Sequence, residues 1–143
     1  MSDVLLYPAG ETFSKAERLC RKKLIDDVYA NGMSIKSAAM VFVYMPVELD
    51  EPVPVQVLMT VSKRLYKRAH DRNRIKRLMR EAYRRHKTLI YEPLVAQQKQ
   101  MALMIIFTGR QMPNYAYVYG KLFESMKKLR GELSKSELKE NNE

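Results

Sequence analysis

Residues 72–85 constrain the fold more than any other part of the chain, because two patterns coincide there. Ile75, Leu78, Met79, Ala82 and Tyr83 recur at helical spacing, which gives one side of a helix an apolar face to bury. The positions between them are mostly arginine and lysine, so the opposite side carries a dense positive charge. The segment therefore predicts a helix that packs on a core through one side and faces a polyanion with the other.

Composition limits the classes of protein to consider. A length of 143 residues with 46% hydrophobic residues predicts one domain with its own core. The formal net charge of +10 favours nucleic acid or an anionic surface as the partner. Cys20 is the only cysteine, which excludes an internal disulfide and a multi-cysteine zinc site. No apolar run is long enough to span a bilayer, and the N-terminus lacks the pattern of a signal peptide, so we expect a cytoplasmic protein.

Periodicity and breaker residues predict the order of the elements. A first helix is expected from Arg21 to Asn31, closed by Gly32 in the left-handed conformation. Residues 39–46 and 55–61 read as strands, and the short loop between them predicts an antiparallel pair. Residues 1–17 are expected to be a flexible N-terminal segment, although Ser14-x-x-Glu17 has the form of a capping box, a weak signal.

The second half of the chain is predicted to contain two further helices and one further strand. The basic helix is predicted from Asp71, as its N-cap, to Ile90, with Pro93 beyond its end. Residues 102–107 are almost all apolar, as in a strand buried on both faces, and Tyr115 to Leu133 is an amphipathic helix. This order predicts an α+β sandwich, in which a small mixed sheet packs against about three helices. We expect residues 18–130 to form the single RNA-binding domain and residues 131–143 to be a flexible charged tail.

The charge of the basic segment distinguishes between partners. Residues 63–87 hold 12 of the 26 basic residues but only two acids, Asp71 and Glu81. An ordinary solvated helix face intersperses acids that pair with the bases, so this face is better explained by a bound polyanion. Arginine outnumbers lysine eight to four, which favours phosphate. A membrane-surface helix would show a larger apolar face, and a helix with little variety for reading bases suits structured RNA better than DNA.

The segment Arg72-Asn73-Arg74-Ile75-Lys76-Arg77-Leu78-x-Arg80 resembles the signature of the bacterial ribonuclease P protein subunit. Val61-Ser62-Lys63-Arg64 resembles the end of the strand that precedes this signature in the family. Arg18-Leu19 and the helix that ends at Gly32 also stand at the family's spacing, and the resemblance covers roughly residues 18–129.

The resemblance implies a fold shared with a domain of a small-subunit ribosomal protein, including an unusual left-handed β-α-β crossover. It implies that the signature helix contacts the catalytic RNA, through Arg72, Asn73, Arg74, Lys76, Arg77 and Arg80. Arg84, one helical turn after Arg80, is added as a further candidate for the same contact. It also implies a cleft between the first helix and the sheet that holds the 5′ leader of precursor tRNA. The leader-binding candidates are Ile25, Tyr29, Phe42, Tyr44, Lys63 and Arg64; Phe42 joins Tyr44 because alternate strand residues share a face. Two departures from the family are the aliphatic Ile25 in place of an aromatic and a segment 65–71 that is one residue longer.

The function that the resemblance implies is assistance to a ribozyme. The RNA subunit would hydrolyse precursor tRNA with Mg²⁺ held mainly by the RNA, and the expected partners are ribonuclease P RNA and precursor tRNA, with neither membrane nor DNA. No catalytic residue is expected in the protein, because His70 and His86 have no obvious acidic or nucleophilic partner. A ribosomal or other structural RNA-binding protein is the alternative; a protein-only nuclease would need clustered acids or histidines.

Overall fold

A computed structural model describes the backbone of residues 13–141 and the side chains as far as residue 135. Its strands are β1 (Met33–Lys36), β2 (Met40–Pro46), β3 (Val55–Val61) and β4 (Met101–Phe107). They form one sheet in the spatial order β1-β2-β4-β3. β4 pairs antiparallel with β2 and parallel with β3. The prediction of a mixed sheet with a buried strand at 102–107 is confirmed, since six of the seven β4 residues are buried.

The predicted pairing of the strands at 39–46 and 55–61 is wrong. β4 lies between β2 and β3, so these two strands do not pair with each other. The physical reason is that β4 is apolar on both faces and is best buried in the interior of the sheet. The short edge strand β1, which pairs antiparallel with β2, was missed because its sequence Met33-Ser34-Ile35-Lys36 has only two apolar residues and little burial.

The structure contains four α-helices in the described residues, rather than about three. They are α1 (Lys22–Asn31), α2 (Ala69–His86), α3 (Thr88–Gln97) and α4 (Tyr115–Asn141). The predicted basic helix is divided at Lys87, and Pro93 lies inside α3 rather than beyond the end of α2. The helix continues through this proline because burial of Ile90, Tyr91 and Leu94 outweighs the loss of one backbone hydrogen bond. Asp71 lies in the first turn of α2, and the N-cap is Arg68.

The helices cover the two faces of the sheet unequally. One face carries Phe42 and Leu103 and is buried by α2, α3 and α4, whose Val118, Leu122, Met126 and Leu129 form the predicted apolar stripe. The other face carries Val43 and Met104 and is covered in part by α1 through Leu24 and Val28. This arrangement is the α+β sandwich that the sequence predicts. The parallel β3-α2-α3-β4 connection is present; its left-handedness remains a prediction.

Helical structure is also present outside the predicted domain limits of 18 and 130, which stay a prediction. A short 3₁₀ helix, Lys15–Glu17, precedes α1, and Glu17 is fully buried. The backbone of α4 continues beyond residue 130, to Asn141. In the described part of the chain, no helix is both long and apolar enough to cross a membrane.

Gly32 does not adopt the left-handed conformation that was predicted for it. Its φ of −74° and ψ of 159° are those of extended backbone. Glycine is needed there for space, because an added Cβ would lie 2.5 Å from the Val28 carbonyl oxygen and 2.7 Å from Val43 Cγ1. Gly32 thus allows the end of α1 to approach β2 closely.

Candidate nucleic-acid interface

The helix α2 has the two-sided character predicted from its sequence. Ile75, Met79, Ala82 and Tyr83 are fully buried in the main core. Arg74, Arg77 and Arg80 are exposed on the other side, and Lys76 is partly exposed. Within the described residues, no carboxylate lies at ion-pair distance from any of these four bases. We call Arg74, Lys76, Arg77 and Arg80 the cationic face.

Arg72 has a structural contact that the sequence does not reveal. Its Nη1 donates to the Tyr66 carbonyl at 2.7 Å and to the Lys67 carbonyl at 2.9 Å. The Tyr66 hydroxyl in turn donates to the Gly109 carbonyl at 2.6 Å. The bonds from Arg72 connect the loop before α2 to the helix, and the bond from Tyr66 connects the same loop to the loop after β4. Arg72 therefore sets the direction in which α2 starts, while the adjacent Asn73 is exposed.

Arg84 differs from the cationic face because it has an acidic neighbour. Its Nη2 lies 2.6 Å from Glu81 Oε1, and Arg85 Nε lies 3.5 Å from the same oxygen. The hydrogen bond from Arg84 lowers the pKa of Glu81, so this carboxylate remains charged at neutral pH. Glu81 thus offsets part of the charge at the C-terminal end of α2, and the uncompensated charge lies N-terminal to it.

Lys87 is not part of the basic surface. Its ammonium lies 2.9 Å from Glu17 Oε2, and both side chains are fully buried. Tyr91 donates to the same carboxylate oxygen at 2.6 Å, and the Ser14 N–H and hydroxyl donate to the other oxygen, each at 3.0 Å. Burial by itself would raise the pKa of Glu17, but these hydrogen bonds lower it more, so the carboxyl has a pKa below its usual value. The only signal for this network in the sequence is the Ser14-x-x-Glu17 spacing.

The leader-binding candidates do not all lie on one surface. Tyr29 on α1 is 72% exposed, Ile25 packs partly buried against the core under α1, and Lys63 and Arg64 are exposed beyond the end of β3. These four remain predicted leader-binding residues. Ile25 and Tyr29 belong to α1, which covers one sheet face only in part, whereas Lys63 and Arg64 follow the edge strand β3.

The prediction that Phe42 and Tyr44 bind the leader is wrong. They share one sheet face, as predicted, but this face packs against the layer of α2, α3 and α4. Phe42 is 0% exposed and Tyr44 is 6% exposed, so neither ring is available to stack on a base. The sequence gives the alternation along β2 but does not say which face is covered by three helices.

The sequence missed a row of half-exposed side chains on the α1 side of the sheet. Val41, Ile106 and Thr60 are paired across β2, β4 and β3, and each is partly exposed. Their faces follow from alternation once Phe42 is known to be buried by the helices. Val41 and Ile106 pack against the core beneath α1 and give this face a partly exposed apolar floor.

The described residues contain no group of three or more side chains suited to holding a metal ion. His70 is exposed at the start of α2. The His86 ring lies 5.0 Å from the Phe123 ring and 4.1 Å from the Tyr119 ring, and its burial lowers its pKa. Its Nε2 is buried without a hydrogen-bond partner in the described part of the chain.

The chain is similar to known proteins over most of its length. Residues 13–130 match the model of the family described as Ribonuclease P. A "Ribonuclease P protein component" of Porphyromonas gingivalis is 30% identical over 132 residues, which are 92% of this chain and 96% of the relative. One from Chlorobaculum tepidum is 43% identical over 76 residues, 51% of this chain and about half (49%) of the relative.

Solved structures share the fold. The RNase P protein of Staphylococcus aureus aligns with a TM-score of 0.62 at 23% identity, covering 79% of this chain and 94% of that one. The RNase P protein of Thermotoga maritima aligns with a TM-score of 0.60 at 23% identity, covering 78% and 96%. The fold, the resemblance of the signature segment and the family match over most of the chain agree, and the chain belongs to the ribonuclease P protein-component family.

Proposed function

We propose that this chain is the protein subunit of a ribonuclease P and assists an RNA subunit in removing the 5′ leader from precursor tRNA. The observation that carries the proposal is the cationic face, four bases of α2 that no acid of the described residues neutralises. Like charges one helical turn apart repel each other until an anion binds. A polyphosphate backbone supplies that anion at the required density.

The role proposed for the cationic face is to bind the RNA subunit. Arginine contacts phosphate through a planar, two-pronged fork, and three of the four bases are arginines. Because the apolar side of α2 is fixed in the core, these guanidinium groups project from a rigid element. Asn73 and Arg84 lie at the margins of the face, and Arg72 contributes mainly by holding the start of the helix in place.

The second role is to hold the leader. Tyr29 is exposed on α1, Val41 and Ile106 form a partly exposed apolar floor on the sheet face that α1 covers in part, and the exposed Lys63 and Arg64 follow β3. An aromatic ring, an apolar floor and two cations suit a single strand, whose bases stack and whose phosphates pair with cations. Mature tRNA lacks a leader, so leader contacts favour the substrate over the product.

The hydrolytic chemistry is assigned to the RNA subunit, with Mg²⁺ held mainly by that RNA. Such an ion would activate water and stabilise the leaving oxygen. The contribution of the protein is to reduce phosphate–phosphate repulsion, so that the two RNAs approach at a lower Mg²⁺ concentration.

Capture of the tagged chain from cells, followed by sequencing of the bound RNA, tests this proposal. We expect ribonuclease P RNA and 5′-extended tRNAs to be enriched. Arg74→Ala, Arg77→Ala and Arg80→Ala combined should abolish the enrichment. Removal of the same number of charges from exposed α4 positions, by Lys127→Ala, Lys128→Ala and Arg130→Ala, should retain it. Enrichment of ribosomal RNA alone would instead support a structural RNA-binding protein.

A further inference from the structure

A groove of about 550 Å³ separates residues 13–18 from α2 and the start of α4. Its volume is within the range of about 300–1,000 Å³ that is common for ligand pockets. Phe13, Arg18, Arg77, Arg80, Arg84 and Tyr115 contribute to its lining. Of these, Arg77, Arg80 and Arg84 come from one side of α2, and the first two belong to the cationic face.

The groove is strongly positive. Arg18, Arg77 and Arg80 have no ion-pair partner among the described residues. The one acid in the lining, Glu81, is engaged by Arg84 at 2.6 Å and by Arg85 at 3.5 Å. A phosphate in the groove would therefore meet three guanidinium groups without competition from a carboxylate.

The groove also offers an aromatic surface. The Phe13 ring is held edge-on against the buried Tyr83, with ring centres 5.8 Å apart. The Arg18 guanidinium carbon lies 5.5 Å from the centre of the Phe13 ring. A cation–π pair of an arginine and a phenylalanine presents both a charge for a phosphate and an aromatic ring for a base. This combination suits a nucleotide better than a free inorganic anion.

The groove continues around the edge of the sheet. A smaller space of about 140 Å³ shares Phe13, Arg18 and Arg80 with it and reaches Cys20 and Leu58. Leu58 belongs to the α1 side of the sheet. Arg18 lies at this edge, where its backbone forms a parallel bridge with Val57 of β3. The two spaces therefore connect the α1 side of the sheet with the cationic face.

We propose that this groove is a nucleotide-binding subsite that holds one RNA phosphate between Arg18 and Arg80 and an unpaired base against Phe13. The inference rests on the proposed function, because the nucleotide would belong either to the RNA subunit or to the leader of the precursor tRNA. Both sources present the same chemistry, a phosphodiester next to an unpaired base. The experiments below distinguish them.

The first experiment compares the variants Arg18→Ala and Phe13→Leu with the control Arg130→Ala, which removes one exposed arginine from α4. Two affinities are measured for each variant: that of the protein for the RNA subunit, and that of the holoenzyme for precursor and mature tRNA. We expect Arg18→Ala to weaken one of these two affinities roughly tenfold, since a charged hydrogen bond is lost. The slope of log affinity against log salt should fall by about 0.7–0.9.

Which affinity is lost identifies the RNA that supplies the bound nucleotide. Weaker binding of the RNA subunit assigns the nucleotide to that RNA, whereas weaker binding of precursor tRNA with unchanged binding of mature tRNA assigns it to the leader. Phe13→Leu should lower the same affinity while keeping the salt slope, because it removes stacking and no charge. Thermal unfolding checks that each variant is folded.

The second experiment uses Cys20, the only cysteine, which is exposed and lines the smaller space. A photoreactive group attached to its thiol should crosslink to a short unpaired stretch of the RNA that the affinity measurements identify. Absence of a crosslink to either RNA, in a holoenzyme that cleaves, would contradict the subsite. Affinities of the Arg18→Ala and Phe13→Leu variants equal to those of Arg130→Ala would also contradict the subsite. A wild-type protein that neither binds the RNA subunit nor aids cleavage would instead contradict the proposed function.

Discussion

Lys87 Nζ lies 2.9 Å from Glu17 Oε2, and both side chains are fully buried between the N-terminal segment and the junction of α2 and α3. The Tyr91 hydroxyl donates to the same oxygen at 2.6 Å, and the Tyr83 hydroxyl donates to Tyr91 at 3.2 Å. The network joins the segment that carries Phe13 and Arg18 to the helix that carries the cationic face. It thereby fixes the walls of the groove relative to each other.

We predict that Glu17→Gln destabilises the fold by about 3–5 kcal/mol, because it removes the carboxylate that lies 2.9 Å from the buried Lys87 ammonium. The matched control is Glu132→Gln, which removes an exposed partner 3.5 Å from Lys135 and should cost about 1 kcal/mol or less. Urea unfolding measures both. A loss for Glu17→Gln as small as that for Glu132→Gln would show that the pair does not hold the N-terminal segment.

The same carboxyl predicts a dependence of stability on pH. The hydrogen bonds to Glu17 lower its pKa in the folded state below the value of about 4.3 for an unfolded chain. The folded state therefore binds this proton less readily, and the stabilisation is complete above that value and is lost as the pH falls through the folded pKa. The free energy of unfolding of the wild type should drop below about pH 4 more steeply than that of Glu17→Gln. Parallel curves would contradict the assignment.

Two glycine substitutions should have opposite effects. Gly32→Ala would place a Cβ 2.5 Å from the Val28 carbonyl oxygen, so we expect a loss of about 1–3 kcal/mol. Gly120 lies inside α4 with nothing within 4 Å of its added Cβ, so Gly120→Ala should stabilise the protein by up to about 1 kcal/mol. Thermal unfolding of the two variants tests the close approach of α1 to β2. Equal effects at the two positions would disprove it.

Tyr29 and Tyr44 should differ in their effect on leader binding. Tyr29→Ala removes an exposed ring and should reduce the preference for precursor over mature tRNA roughly tenfold, which is within the usual strength of base stacking. Tyr44→Phe changes a side chain that faces the helices and should leave the preference unchanged. Affinity of the holoenzyme for tRNAs with and without a leader is the measurement. A loss of the preference in Tyr44→Phe but not in Tyr29→Ala would show that the leader binds the sheet face that carries Tyr44.

The sequence predicts well those features that depend on local pattern. The apolar spacing of α2 and the near-continuous apolar run of β4 each predict their element, because periodicity and burial are coupled. The signature segment identified the family, and its bases do form an exposed face. The predicted limits of α2 were less accurate. The helix ends at His86, and a separate helix, α3, contains Pro93 because Ile90, Tyr91 and Leu94 are buried.

Features that depend on long-range packing were not predictable. Which face of β2 is open depends on three helices packing against the other face, and no property of Phe42 or Tyr44 reveals this. The burial of Lys87 requires a partner 70 residues away. Arg72 looks like any other base of the signature, yet it is bonded to the carbonyls of Tyr66 and Lys67. Distance along the chain conceals all three relationships.

The most direct test of the account is cleavage of precursor tRNA by the RNA subunit from the same organism at a low Mg²⁺ concentration, with and without this protein. We predict that the protein raises the cleavage rate at least tenfold, and that the combined Arg74→Ala, Arg77→Ala and Arg80→Ala variant loses most of this gain. The advantage should diminish as Mg²⁺ or salt is increased, because both screen phosphate repulsion. An RNA subunit that cleaves equally fast with and without the folded protein at every Mg²⁺ concentration would contradict the central claim.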